Sequence, residues 1–253
     1  MSRKPTRKRV YFLPNLLTAG NLFAGFYAVV ASVNYHFEKA AVAIVIAGLL
    51  DGLDGKIARL TGSTSRFGVE FDSLADLVSF GIGPAVLIYL WALQPYGRIG
   101  WVAAFLLVAC GALRLARFNV QVNTVEKKWF TGLPIPAAAG CVATTVLVVE
   151  MIDRTHSLLG PALILQVYLL AFLMVSSIRY RSFKDLGMRS SHPFRFLVSA
   201  VLLLSIVALH PQLTLFTMGV IYVLSGPLEH LIVLVRKRHR AAAIHHPPEK
   251  TNP

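Results

Sequence analysis

Charge is scarce in this sequence, and acidic charge is scarcest. Of 253 residues 15% are charged, with 12 Asp and Glu against 25 Lys and Arg. Globular soluble domains carry about a quarter of their residues as charge, so one soluble core coated with polar groups is excluded. Cysteine is nearly absent. Cys110 and Cys141 both fall in apolar runs, in no metal-ligand or redox spacing, and read as small buried hydrophobes. No Cys or Ser–His arrangement stands out for a covalent intermediate. No internal repeat is visible either, which removes the usual signature of a transporter built from matched halves.

What the chain has in quantity is apolar runs. A membrane-spanning helix needs about 20 mostly apolar residues. Eight runs approach that length: 12–34, 38–60, 70–92, 99–119, 134–152, 159–177, 194–209 and 213–235, the seventh being short. A backbone in lipid must satisfy its own hydrogen bonds, so these runs are helices. The expected fold is an all-α polytopic bundle of about eight transmembrane helices. Connections are short, giving one domain over 1–236 and a basic tail, 237–253, that reads as disordered, its His245–His246 pair solvated. The basic-then-apolar start resembles a signal peptide, with "AVVAS" as a cleavage-like site. Its apolar part is long and contains Asn15, Thr18 and Asn21, so it reads as a first span instead.

With eight spans, the termini and the even-numbered loops share one side. That side holds 22 of the 25 Lys and Arg, leaving Lys39, Arg98 and Arg154 on the other. This positive-inside bias places both termini in the cytoplasm. The net charge of +13 is then topology plus attraction to anionic lipid rather than a nucleic-acid footprint.

Against this background four of the chain's six aspartates crowd into 26 residues, within "LLDGLDGKIARLTGSTSRFGVEFDSLADLVSFG" (Leu49 to Gly81). Asp51 and Asp54 are three apart near the end of the second run. Asp72 and Asp76 are four apart near the start of the third. Each pair shares a helix face, and antiparallel neighbours bring the two faces together near the cytoplasmic headgroups. An Asp at mid-span costs about 2.5–3.5 kcal/mol on insertion scales, and four like charges also repel. A divalent cation is the natural counter-charge: hard ions take carboxylate oxygens, and Mg²⁺ leaves positions open for phosphate. Phosphoryl transfer is the chemistry such a site performs. A salt-bridged helix pair is the plainer alternative.

These residues carry a resemblance. Asp51-x-x-Asp54-Gly55-x-x-Ala58-Arg59, then eight residues, then Gly68-x-x-x-Asp72-x-x-x-Asp76 resembles the signature of the CDP-alcohol phosphatidyltransferase family, with all eight positions filled. The resemblance implies an integral-membrane enzyme that takes a CDP-linked lipid, expels CMP and joins the phosphatidyl group to an alcohol. It implies a divalent metal, Mg²⁺ or Mn²⁺, at Asp51, Asp54, Asp72 and Asp76, with Asp76 as the base for the alcohol. A homodimer is a further expectation of the family. CDP-diacylglycerol would be bound by Asn15, Thr18, Asp51, Gly55, Ala58, Arg59 and Gly68. Arg59 holds a phosphate or snorkels at the interface. Gly68 lets backbone approach the nucleotide or packs helices. Asn15 binds the nucleotide or caps the first helix.

The acceptor alcohol is not in the motif. "LPNLLTAGNLFAGFYA", "DSLADLVSFGIGPA", "ALRLARFN" and "GLPIPAAAG" are similar to the phosphatidylserine synthase branch, which implies L-serine. Arg114 and Arg117, followed by Asn119, suit a carboxylate or a lipid phosphate, or anchor the span at the interface. Glu70 is a weaker candidate for the serine ammonium. Competing readings are a sibling transferase using glycerol 3-phosphate or an inositol phosphate, a cation transporter, and a scaffold whose acids are structural. Glu229 and His230 are intramembrane ionisable groups without an assigned role. The expected location is a membrane, with the site on its cytoplasmic side.

Overall fold

The computed structural model describes residues 12–62, 65–121, 129–152, 159–181, 198, 205 and 209–245. Helix α1 (Phe12–Val33) turns through Asn34, Tyr35 and His36 into α2 (Phe37–Leu60). The two pack through small side chains: Ala24, Ala28 and Ala31 on one, Ala40, Ala41, Ala43 and Ala47 on the other, all buried. Small residues let helix backbones approach closely, which is the main attraction available between helices in lipid.

The third run is one long rod with two irregular stretches. Helix α3 (Arg66–Asp76) passes into a π-helical segment (Leu77–Ile82), then α4 (Gly83–Ile88), then a second π-helical segment (Tyr89–Leu93). A 3₁₀ turn (Gln94–Tyr96) and Gly97, at φ +53°, reverse the chain into α5 (Gly97–Gln121). Helix α6 (Ile135–Met151) follows, then α7 (Gly160–Val175) and α8 (Pro211–His245). Helix α6 lies at the centre, in contact with α2, α4, α7 and α8, and Cys141 to Val148 are buried without a break. A helix apolar all round belongs inside a bundle.

The element boundaries track the apolar runs closely. The seventh, 194–209, falls largely outside the described residues. Helix α8 runs on to His245, past the edge at 236 expected from composition, and 246–253 lie outside the described residues. A short β-ladder is the departure from an all-helical chain. Trp129–Thr131 (β1) and Arg179–Arg181 (β2) pair antiparallel, Phe130 opposite Tyr180. Such short strands, with no alternating pattern of length, leave no trace in periodicity. The ladder holds Tyr180 where its hydroxyl donates to the Val223 carbonyl of α8 at 3.1 Å. Burial, with Tyr222 beside it, pushes the Tyr180 phenol up to about 12, so the hydroxyl stays a donor.

Among the described residues three stretches are long and apolar enough to cross a membrane: Leu13–Val33, Arg66–Val120 (the hairpin of rod and α5) and Pro211–Ile232. Ile135–Met151 and Gly160–Val175 are shorter apolar helices. Outward faces carry Phe23, Phe26, Trp101, Phe105, Phe172 and Ile221, each more than half exposed. An apolar exterior of this extent is suited to lipid, not water. The chain is an all-α membrane protein in architecture, the three-residue strands apart.

The tightest contact joins α1 to the first π-helical segment. A Cβ added to Gly25 would meet Ser79 Oγ and Cα at contact-breaking distance. Gly25→Leu is expected to push α1 off the rod and lower stability by about 1–3 kcal/mol, read as a drop in the melting temperature of the detergent-solubilised protein.

Candidate active site

Polar side chains buried among the described residues are few, and five of the eight cluster together: Thr18, Asn21, Asp54, Asp76 and Ser79. They lie where α1, α2 and the start of the rod meet. Asp51 and Asp54 lie near the end of α2, Asp72 and Asp76 at the end of α3. Carboxylate oxygens of Asp51, Asp72 and Asp76 all lie within 4.8 Å of one another.

Three of the four aspartates expected to converge meet this mutual spacing. Asp54, 4% exposed, is not one of this trio but lies near enough to Asp72 to act on it electrostatically, and it is bonded by Thr18. Thr18 Oγ1 lies 2.8 Å from Asp54 Oδ2 and 3.1 Å from the Pro14 carbonyl. Asp54 instead joins Asp72 in the wall of a pocket of about 200 Å³. Asn15, Thr18, Gly55, Ala58, Arg59 and Gly68 complete that wall with Pro14, Ser65 and Val69. Every residue assigned from sequence to the CDP-lipid lines this one pocket, except Asp51, which stays with the carboxylate trio. Ser65 caps α3 by accepting from the Gly68 amide at 2.9 Å. A Cβ on Gly68 would come within 3.1 Å of Ser65 Oγ and 3.3 Å of Asn15 Oδ1, so glycine keeps this wall open.

The acceptor candidates separate. Arg114 is half-buried, its guanidinium 5.8 Å from the Phe118 ring centroid, with Asp76, Tyr222 and Asp51 as electrostatic partners. Arg117 points elsewhere, Nη1 donating to the Val175 carbonyl at the end of α7 at 3.4 Å. Unsatisfied carbonyls at a helix C-terminus attract such a cation. Asn119 Nδ2 donates to Ser73 Oγ at 3.0 Å, tying α5 to α3 beside Asp72. Glu70 is exposed.

The donor set suits a hard divalent cation. Three carboxylates share one small volume, and Asp72 Oδ1 is buried with no hydrogen-bond partner. Leaving such an acceptor unmet costs about 1–3 kcal/mol, and carboxylate oxygens in this number are what Mg²⁺ or Mn²⁺ takes. The sequence model of the CDP-alcohol phosphatidyltransferases matches residues 11–178. The chain belongs to the CDP-alcohol phosphatidyltransferase family. Members of this family are generally divalent-metal dependent, and the acidic cluster accords with that. The chain is 39% identical over 230 residues to a CDP-diacylglycerol–serine O-phosphatidyltransferase of Helicobacter pylori, covering 90% of this chain and 94% of that protein. It is 38% identical over 177 residues to the archaetidylserine synthase of Methanothermobacter thermautotrophicus, 69% and 72% of the two chains. A Bacillus subtilis CDP-diacylglycerol–serine O-phosphatidyltransferase is 35% identical over 174 residues, 68% of this chain and 92% of that one.

Two residues that buttress the acidic cluster were not assigned from sequence. Asn21, fully buried, donates from Nδ2 to Asp76 Oδ1 at 3.2 Å. Ser79, also fully buried, donates to the Asn21 carbonyl at 2.9 Å. A signal existed: Asn15, Thr18 and Asn21 recur every third residue in an otherwise apolar helix, which places them on neighbouring parts of one face. Added Mg²⁺ is expected to raise the melting temperature of the wild type, with about 2.7 kcal/mol of stabilisation at a hundredfold excess over its Kd. Asp51→Asn and Asp72→Asn should lose most of that shift, as followed by thermal unfolding without substrate.

Proposed function

We propose that the protein is a CDP-diacylglycerol–serine O-phosphatidyltransferase, converting CDP-diacylglycerol and L-serine to phosphatidylserine and CMP. The observation that carries this reading is the placement of the carboxylate trio beside a pocket walled by the family motif. That placement occurs in a chain similar over nine-tenths of its length to an enzyme of that name.

Asn15, Thr18, Gly55, Ala58, Arg59 and Gly68 receive the cytidine nucleotide and its diphosphate. The small residues admit it closely, and the Arg59 guanidinium offers paired donors to phosphate oxygens. Asp51, Asp72 and Asp76 would hold the divalent ion, with Asp54 at the edge of the set. When bound, the ion offsets the charge of the diphosphate and of the departing CMP. Asp76 takes the proton of the serine hydroxyl as that oxygen bonds to the phosphorus bearing diacylglycerol. The bond from this phosphorus to the bridging oxygen breaks, and CMP leaves with the electron pair. A carboxylate base at hydrogen-bond reach is needed because an alcohol is a weak nucleophile at neutral pH. Arg114 receives the serine carboxylate; Arg117 and Asn119 support it by fixing α5 against α7 and α3.

We also place the protein in its membrane as one domain over 1–236 of eight spans, followed by a basic tail, with both termini and the acidic site on the cytoplasmic side. The distribution of Lys and Arg supports this orientation. A sibling activity on glycerol 3-phosphate or an inositol phosphate shares the motif and is separated by the acceptor.

Purified protein given CDP-diacylglycerol and Mg²⁺ should release CMP with L-serine and not with glycerol 3-phosphate or inositol phosphate, and a chelator should abolish release. Asp76→Asn should slow release by about 10²–10⁴-fold while the Mg²⁺-dependent thermal shift largely survives. Release with glycerol 3-phosphate alone would reassign the acceptor, and wild-type turnover by Asp76→Asn would remove the base.

A further inference from the structure

Asn21 sits in the middle of α1 with no exposed surface. Its main chain and its side chain are both held by the rod. Ser79 Oγ donates to its backbone carbonyl at 2.9 Å, and Gly25, one turn on, brings α1 into backbone contact with Ser79. Its amide Nδ2 reaches Asp76 Oδ1 at 3.2 Å, while its own Oδ1 is buried and has no hydrogen-bond partner. A packing residue would gain from losing that orphaned carbonyl, since a buried acceptor without a donor is a net cost and an apolar side chain of equal shape is not. The amide is therefore kept for its donor.

We propose that Asn21 is a positioning residue for Asp76. Its amide occupies one carboxylate oxygen and stops the group from rotating, so that the other oxygen is the one presented to the ion and the serine hydroxyl. The donor is neutral, so it orients the carboxylate without the strong ion pairing a guanidinium or ammonium would impose. The rigid anchor is the π-helical segment: it starts at Leu77, directly after Asp76, and carries Ser79. The polar residues of α1 thus divide the site between them. Asn15 stands against Gly68, Thr18 holds Asp54, and Asn21 holds Asp76.

This inference rests on Asp76 being the base. The test uses the full-length enzyme in detergent with Mg²⁺, CDP-diacylglycerol and L-serine. Asn21→Leu keeps the branched shape of asparagine and removes the donor; Asn21→Ala removes both, and Asp76→Asn is run beside them. In Asn21→Leu kcat should fall on the order of 10–100-fold, the scale of a small misplacement of a reacting group. Its KM values for serine and CDP-diacylglycerol should stay within about twofold, and its melting temperature should hold or rise. Asn21→Ala should show the same kcat loss with a lower melting temperature. A wild-type kcat in Asn21→Leu beside an inactive Asp76→Asn sinks the inference alone. So does a loss of kcat accompanied in step by weaker donor binding and a lower melting temperature, the pattern of a structural residue. Turnover by Asp76→Asn sinks the base assignment and this inference with it.

Discussion

Carboxylates of like charge, held side by side against apolar helices, repel one another and lose hydration, and much of this protein is arranged around that problem. Carboxylate oxygens of Asp51, Asp72 and Asp76 lie within 4.8 Å of one another. Such a group persists only where surrounding structure forces it and a cation or the substrate's partners relieve it. In this phosphatidyltransferase the same unfavourable grouping has the donor set that suits a hard ion.

The force that holds the cluster together comes from packing elsewhere. Helix α1 is fitted to α2 through a row of alanines and to the rod through Gly25 against Ser79. With those contacts made, its polar residues have fixed partners, one near each part of the site. The π-helical segments belong to the same design. An extra residue within a helix shifts the register of the next turns, and such bulges are frequent at functional sites. Here the first one starts immediately beyond Asp76 and gives α1 a hydroxyl to bond. The C-terminal part also approaches the centre, since α8 brings Tyr222 near Arg114, and Tyr180 from the short strand ladder fixes α8 at Val223.

Much of this was legible from composition and spacing. The helices follow apolar runs because lipid leaves the backbone no other partner than itself, and so the boundaries of α1, α2 and α5 to α7 fall within a few residues of those runs. The residues that the motif and its resemblance single out, Asn15, Thr18, Gly55, Ala58, Arg59 and Gly68, line one pocket. The division among the four aspartates was not legible. Asp51 and Asp54 look equivalent in sequence, and the hydroxyl of Thr18, 36 residues away, bonds Asp54. Likewise Arg114 and Arg117 form one basic pair on paper, and the end of α7 claims the second.

By itself, then, the sequence determined that this chain is a helical membrane protein and that its acids gather at one junction, while phosphatidyl transfer was implied by the resemblance of its motif to a known family. Those properties depend on composition and on residues near one another in the chain, where period and spacing carry the information. The tertiary structure decided which carboxylates share a volume, which oxygen of Asp76 is already engaged, and which arginine faces the site. Each of these depends on contacts between helices far apart in the chain, and no local pattern records the partner of a buried hydrogen bond.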